Sequence, residues 1–400
     1  MSTHENRLPL EGIRVIEFVH MVMGPTCGLL LADLGAEVIK VEPAPAGDNT
    51  RRLTGSGAGY WMTYNRNKKS FAVDIKSPEG LEAVKKLIAT ADVFTENFRP
   101  GAMAKLGLGY EDVKAIKPGI IYSSMKGFLP GPYENRTALD EVVQMMTGLA
   151  YMTGPEGRPL RAGASVNDVM GGMFSAVTIL AALLQRGQSG KGQFVQTGLF
   201  ENSAFLVAQH MMQKAVTGKS AAPMPSRLSA WAVYDVFTTQ ENEQIFMGVV
   251  SDTQWKVFCE AFGMQDFAND PALLTNTQRV HARDRILPAI RRHILSMSKE
   301  EVMALCERCG LPFSPIRRPD DLFDDVHLNA SGGMTAVTLP SGEQVSIPML
   351  PFEMDGRRFG VRLDVPSVGR DNHAILSALG YSPEAIRHLE EQGVAHTATP

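Results

Sequence analysis

Ile13-Arg14-Val15-Ile16-Glu17-Phe18, then Gly24-Pro25 with the apolar run Thr26 to Leu34, then Gly35 and Glu37-Val38-Ile39-Lys40-Val41, form the stretch that decides the fold. The first segment is apolar and β-branched and reads as a strand. Gly24-Pro25 opens a helix that Gly35 closes. A second strand follows at once. Strand, helix and strand within about 30 residues predict a βαβ unit and a parallel sheet. The pattern repeats downstream. Ser70 to Ile75 reads as strand, Pro78 to Thr90 as helix, Asp92 to Glu96 as strand, Tyr110 to Ile116 as helix and Ile120 to Met125 as strand. The expected class is α/β.

Two nucleotide signatures are missing from this frame. No G-x-G-x-x-G follows the first strand, so the dinucleotide fingerprint is absent. Gly187-Gln188-Ser189-Gly190-Lys191-Gly192 resembles a phosphate loop, but Gln185 stands where the Walker pattern needs glycine, and Gly192 where it needs Ser or Thr. That segment reads as a tight turn before the strand Gln193 to Thr197.

The chain changes character near Pro223-Met224-Pro225. Tyr234 to Thr238 and Gln244 to Val250 read as a hairpin, and helical segments run on to Pro312-Phe313-Ser314-Pro315. Short strands return from about Gly333, and a small helix, Pro383 to Gln392, comes last. The expected division is a large domain of 1–222 with 333–400, and a smaller α/β domain of 223–332 with its linkers.

The 400 residues are 44% hydrophobic, 20% charged and carry a formal net charge of -4. That is ample for a sizeable core and gives no basic excess to hold nucleic acid. Met1 to Arg7 are polar, unlike a secretory signal. The apolar run Val169 to Leu184 contains Gly171, Gly172 and Ser175 and falls short of the roughly 18 residues of a membrane span. It reads as a core helix, so the expected setting is the cytoplasm, with no membrane partner. Cys306-Glu307-Arg308-Cys309 has the spacing of a zinc or redox pair, but no second pair completes four ligands. Cys27, Cys259, Cys306 and Cys309 are expected as reduced thiols, and no metal is expected.

Asp168 stands in Ser165-Val166-Asn167-Asp168, immediately before that apolar run. Two readings remain open from the residues alone. Asp is among the best helix N-caps. A carboxylate at the positive end of a helix is also a candidate nucleophile toward a thioester.

Several further segments occur in order: Leu10-Glu11-Gly12-Ile13-Arg14-Val15-Ile16-Glu17 leading to Gly24-Pro25; Leu34-Gly35-Ala36-Glu37-Val38-Ile39-Lys40-Val41-Glu42-Pro43; Gly47-Asp48 with Arg51; Asn65-Arg66-Asn67-Lys68-Lys69-Ser70; Glu96-Asn97-Phe98-Arg99-Pro100-Gly101 before Leu106-Gly107; and Ser189-Gly190-Lys191-Gly192-Gln193. Together they resemble the class III CoA-transferases, the CaiB/BaiF family that includes formyl-CoA transferase. The resemblance runs from about Leu8 to Ala395. It implies a Rossmann-like large domain, a smaller second domain and an interlocked homodimer. It implies an acyl-CoA thioester and a carboxylic acid as substrates, with no permanently bound cofactor. Asp168 takes the position of the family's catalytic carboxylate, and Asp140 that of a second acidic residue near it.

Matched residue by residue, the family's CoA contacts fall on Met21, Val22, Val73, Lys76, Asn97, Phe98 and Lys105. Lys76 and Lys105 suit phosphate, and Phe98 suits the adenine face. Val22, Pro43 and Ala44 depart from the formyl-CoA transferase pattern, which turns the expected acceptor from oxalate to another acid. A dicarboxylate handled through succinyl-CoA or a relative is expected, with Arg136, Arg161 and Arg227 as candidate partners for its far carboxylate. The α-methylacyl-CoA racemases of the family need a His-Asp pair where this chain has Leu139-Asp140. That enzyme is the first alternative, and a non-catalytic CoA-binding protein the second.

Overall fold

The computed structural model describes residues 7–227 and 229–398. The chain divides into two compact units, Met1–Pro223 with Asp325–Pro400, and Met224–Asp324. The larger unit is built on six strands: β1 (Arg14–Phe18), β2 (Glu37–Glu42), β3 (Lys68–Ala72), β4 (Val93–Glu96), β5 (Ile121–Lys126) and β6 (Gln193–Gly198). All pair in parallel, in the order β3-β2-β1-β4-β5-β6. This mixed α/β architecture with its parallel sheet is the class the opening stretch predicts.

Alternation along the strands builds two cores. Val15, Val38, Val93 and Ile121 turn to one face, against the helices Met23–Asp33 and Val166–Ser189. Ile16, Ile39, Phe94 and Tyr122 turn to the other, against Pro78–Ala89, Tyr110–Ile116 and the late helices Asn372–Ala378 and Pro383–Glu391. Strands covered on both faces carry apolar residues at successive positions, which makes them legible as short apolar runs. The edge strand β3 is covered by a late segment, where Asn372 Oδ1 accepts from Ala72 N at 2.8 Å.

β3 begins two residues earlier than the expected Ser70, because its first residues are lysines, one buried and one half-buried, that carboxylates on β1 and β2 pair. Lys68 is fully buried and pairs with Glu17 Oε1 at 2.8 Å. Lys69 pairs with Glu37 at 2.6 Å. The Glu17 carboxylate presses on the first helix so closely that a Cβ on Gly28 would stand 1.8 Å from Glu17 Oε2. The long helix also starts earlier and ends later than its apolar run, at Val166–Ser189. It is long and apolar enough to cross a membrane by composition, yet Gly171, Gly172, Ser175, Ala176, Ile179 and Ala182 are buried within the unit.

The smaller unit carries its own antiparallel sheet, β7 (Val233–Thr238), β8 (Gln244–Val249) and β9 (Phe313–Pro315). Its core gathers Trp255, Phe258, Ile286, Ile290 and Val302 from the helices that follow. Cys306 and Cys309 are free thiols on the helix Lys299–Cys309. A last hairpin, β10 (Met334–Thr338) with β11 (Gln344–Pro348), belongs to the larger unit.

Gly172 tests the crossing of the first and long helices. Helix propensity alone favours alanine there by about 1 kcal/mol. A Cβ at Gly172, however, would stand 2.6 Å from the Met23 carbonyl oxygen and 2.7 Å from Thr26 Cβ. Neither neighbour can swing aside. Gly172→Ala is therefore expected to destabilise the protein by about 1–3 kcal/mol, read as a lower urea midpoint. A rise in that midpoint would show that the two helices do not pack this closely.

Candidate active site

β1 and β4 lie side by side at the centre of the sheet, with β2 and β3 beyond one and β5 and β6 beyond the other. Such a switch point opens a crevice beyond the carboxyl ends of the two strands. A cavity of about 300 Å³ occupies that place. The loop after β1 brings His20, Met21 and Val22 to it, and the loop after β4 brings Asn97, Phe98 and Arg99. The loops are tied together: His20 N donates to Asn97 Oδ1 at 3.0 Å, and Asn97 Nδ2 donates to His20 O at 2.9 Å.

Met21 has a φ of +63°, a left-handed conformation that costs energy in a residue with a side chain. Its amide donates to Thr50 Oγ1 at 3.0 Å, Thr50 Oγ1 donates to Asp48 Oδ1 at 2.8 Å, and Asp48 pairs with buried Lys40 at 2.9 Å. That chain holds the strained turn in place. Phe98 lies tilted over the His20 ring at 5.1 Å. Beneath it, Lys126 pairs with Glu96 at 2.6 Å and donates to Phe98 O at 2.6 Å. Burial lowers the His20 pKa, with Asp48 opposing and Lys40 adding to the effect. His20 Nδ1 is buried without a hydrogen-bond partner among the described residues.

The opposite wall comes from Thr137, Leu139, Asp140, Arg161, Ser165 and Asp168. Asp168 is not the helix cap. Ser165 occupies the N-cap position and makes no side-chain cap bond, so Asp168 falls inside the first turn. The cap comes from elsewhere in the chain. Asp140 Oδ2 accepts from Asn167 N at 2.8 Å and from Asp168 N at 3.0 Å. Asp140 begins the helix Asp140–Thr147, and its carboxylate satisfies two orphan amides of the long helix. Gln144 Nε2 donates to Asp140 Oδ1, and Gln144 Oε1 accepts from Ala162 N at 2.8 Å. The backbone under Asp168 is thus fixed from two sides.

The same arrangement sets the charge on Asp168. Its carboxyl is pushed up to about 7, first by burial and then by the neighbouring Asp140 carboxylate, with Arg161 opposing. Arg161 lies 3.8 Å from Asp140 Oδ1 and 3.7 Å from Glu141 Oε2. Tyr60 borders the cavity, and Tyr64 lies close enough for Asp168 to raise its hydroxyl, after burial and Tyr60. The tyrosine pair was not legible in the sequence, because the helix Tyr60–Tyr64 has only five residues and no charged signature.

Of the expected site residues, the cavity gathers Met21, Val22, Asn97, Phe98, Asp140 and Asp168. Lys76 and Lys105 are exposed and lie outside its lining. Val73, also expected among the CoA contacts, lies outside that lining as well. Its side chain belongs to the core, 2% exposed, and its amide donates to Glu42 O at 2.9 Å. The strand ends at Ala72, and the chain then turns the Val73 side chain inward.

The raised carboxyl has a consequence for stability. An unfolded aspartate ionises near 3.8 and the folded Asp168 near 7. Folding therefore favours the protonated form, and stability falls as pH rises through that interval. Asp168→Asn is expected to stabilise the protein at pH 8 and to leave it nearly unchanged at pH 4. Urea midpoints at the two pH values measure this, and an equal effect at both would refute the assignment.

Comparison with known proteins shows the family. Residues 10–372 match the model of CoA-transferase family III. The succinyl-CoA:glutarate CoA-transferase of Mus musculus is 32% identical over 400 residues, covering 98% of this chain and 92% of that protein. The succinate–glutarate CoA-transferase of Agrobacterium fabrum is 32% identical over 392 residues, covering 95% of this chain and 98% of that protein. A crystal structure of a CaiB/BaiF family protein from Brucella suis superposes with a TM-score of 0.83 at 31% identity, over 93% of this chain and 99% of that one. With its parallel sheet, its switch-point cavity and these matches, the chain belongs to CoA-transferase family III, the CaiB/BaiF family.

Proposed function

We propose that the protein moves CoA from an acyl-CoA donor to a free dicarboxylic acid, with Asp168 as the covalent nucleophile. The observation that carries this reading is a half-buried carboxylate, fixed at its backbone by Asp140, on the wall of a cavity whose other wall is the Asn97–Phe98 loop. Curated relatives named for succinyl-CoA with glutarate, D-citramalate or L-malate support the dicarboxylate class.

In this reading an Asp168 carboxylate oxygen attacks the donor thioester carbonyl and expels CoA thiolate, leaving a mixed anhydride. The thiolate attacks the aspartyl carbonyl, and the donor acid departs as its carboxylate. The acceptor carboxylate attacks the resulting aspartyl thioester and expels the thiolate, which then attacks the acceptor's acyl carbonyl and frees Asp168. No net proton is taken up. The covalent route replaces one slow displacement with several faster ones. Asp140 occupies the two amides nearest the nucleophile, so they are not oxyanion donors. The open first turn of the helix Met23–Asp33, which borders the cavity at Val22 and Met23, is assigned that role.

CoA is assigned to the loops of Met21, Val22, Asn97 and Phe98, with exposed Lys76 and Lys105 available to its phosphates. Leu139 borders the cavity where the racemase pattern has histidine, and leucine supplies no base. The exposed apolar residues Met173, Phe174 and Val177 on the long helix, with Phe205, Met211 and Met212 beyond it, fit a second copy of the chain in an interlocked homodimer. Four free cysteines fit a reducing, cytoplasmic setting.

Asp168→Ala is expected to lower the transfer rate by about 10⁴-fold or more, as loss of a covalent nucleophile does, while CoA thioester binding persists. Wild type turning over with acyl-CoA and hydroxylamine should carry a hydroxamate at Asp168 on peptide mass spectrometry. A hydroxamate at Asp140, or an Asp168→Ala variant with full turnover, would defeat the mechanism.

A further inference from the structure

Four lysine and arginine side chains line the cavity, and two of them are already engaged by carboxylates. Lys126 is neutralised by Glu96 at 2.6 Å. Arg161 stands between Asp140 and Glu141. Arg136 also lines the cavity, and among the described residues no carboxylate pairs with it. Its guanidinium lies over the Tyr133 ring instead, at 4.8 Å from the centroid.

Tyr133 is itself held. It meets Phe128 edge-on at 5.7 Å and Phe200 at 6.2 Å, and those two rings are 5.6 Å apart. The turn beneath it is closed by Arg136 N donating to Tyr133 O at 2.8 Å. Stacking on an aromatic face orients a guanidinium while leaving its N–H edge open, and that edge matches a carboxylate in a two-point contact. Arg136 is also four positions before Asp140 in the chain, on the wall that carries the Asp140–Asp168 pair.

We infer that Arg136, stacked on Tyr133, receives the non-reacting carboxylate of the dicarboxylic acid and so selects diacids over monoacids. The inference rests on the CoA-transfer reading above and adds the residue that sets its substrate class. A neutral acid of equal length would leave the guanidinium without its partner, so discrimination comes from charge and fork geometry together. Arg99 is the competing candidate. It too lines the cavity and has no carboxylate partner among the described residues, but it stands on the Asn97–Phe98 loop, beside the thioester's assigned place.

The test compares glutarate with its half-amide, glutaramate, as acceptors from succinyl-CoA, in wild type, Arg136→Ala, Arg136→Lys and Arg99→Ala. Arg136→Ala is expected to raise KM for glutarate about tenfold or more, the scale of a lost charge-assisted hydrogen bond. Its kinetics with glutaramate should change little, so the glutarate preference collapses. Arg136→Lys should keep part of the preference, because charge survives without the fork. An unchanged far-UV circular dichroism spectrum and urea midpoint show that the variants are folded. Wild type preferring glutarate while Arg136→Ala keeps the same preference would overturn the Arg136 assignment alone, as would collapse in Arg99→Ala instead. Wild type that transfers CoA to no diacid would overturn the dicarboxylate reading and this assignment with it.

Discussion

The Asp140 carboxylate accepts two backbone amides at the start of the long helix, from Asn167 and Asp168, and the site depends on that contact. A helix start without a cap leaves donors that the fold must satisfy somewhere. Ser165 makes no side-chain cap bond, so the duty passes to a residue 27 positions upstream. Meeting it brings a second carboxylate beside Asp168. Burial raises the energy of the ionised Asp168 first, and the same contact that fixes where it stands adds to that. In the proposed reaction, a carboxylate destabilised in this way gains more by forming a neutral acyl derivative than a well-solvated one would.

The rest of the larger unit shapes the cavity at that carboxylate. The sheet order places the β1 and β4 loops at one crevice, and the His20–Asn97 bonds make them a single wall. Close crossing at Gly171 and Gly172 brings the start of the first helix, with Val22 and Met23, to the same cavity as Asp168. Buried ion pairs, Lys68 with Glu17 and Lys40 with Asp48, tie the central strands and the Met21 turn below the crevice. Removing one partner of such a pair leaves a buried charge uncompensated, a larger loss than the pair's own net contribution.

Much of this frame was legible in the sequence, for physical reasons. β1, β2, β4 and β5 are buried on both faces, so their apolar residues stand out without any partner being known. β3 was displaced by two residues because Lys68 and Lys69 look like loop residues until Glu17 and Glu37 are brought across the sheet. Asp168 could be singled out by its place before an apolar run, but only the family resemblance favoured the nucleophile over the cap. The Asp140 cap itself was hidden. A carboxylate ahead of one helix gives no sign that it serves the amides of another. For Val73 the motif neighbours suggested a CoA contact, while its own side chain belongs to the core.

The central claim is that Asp140 holds Asp168 in place at the cost of its ionisation. The direct measurement is the ¹³C carboxyl titration of Asp168 by NMR, in the wild type and in Asp140→Asn, which keeps an amide acceptor without the charge. The wild-type midpoint should lie near 7, and the variant's should fall part of the way toward the ordinary aspartate range, because burial still raises it. A wild-type midpoint near 4, typical of an unperturbed carboxyl, or a variant midpoint unchanged from the wild type, would contradict the account.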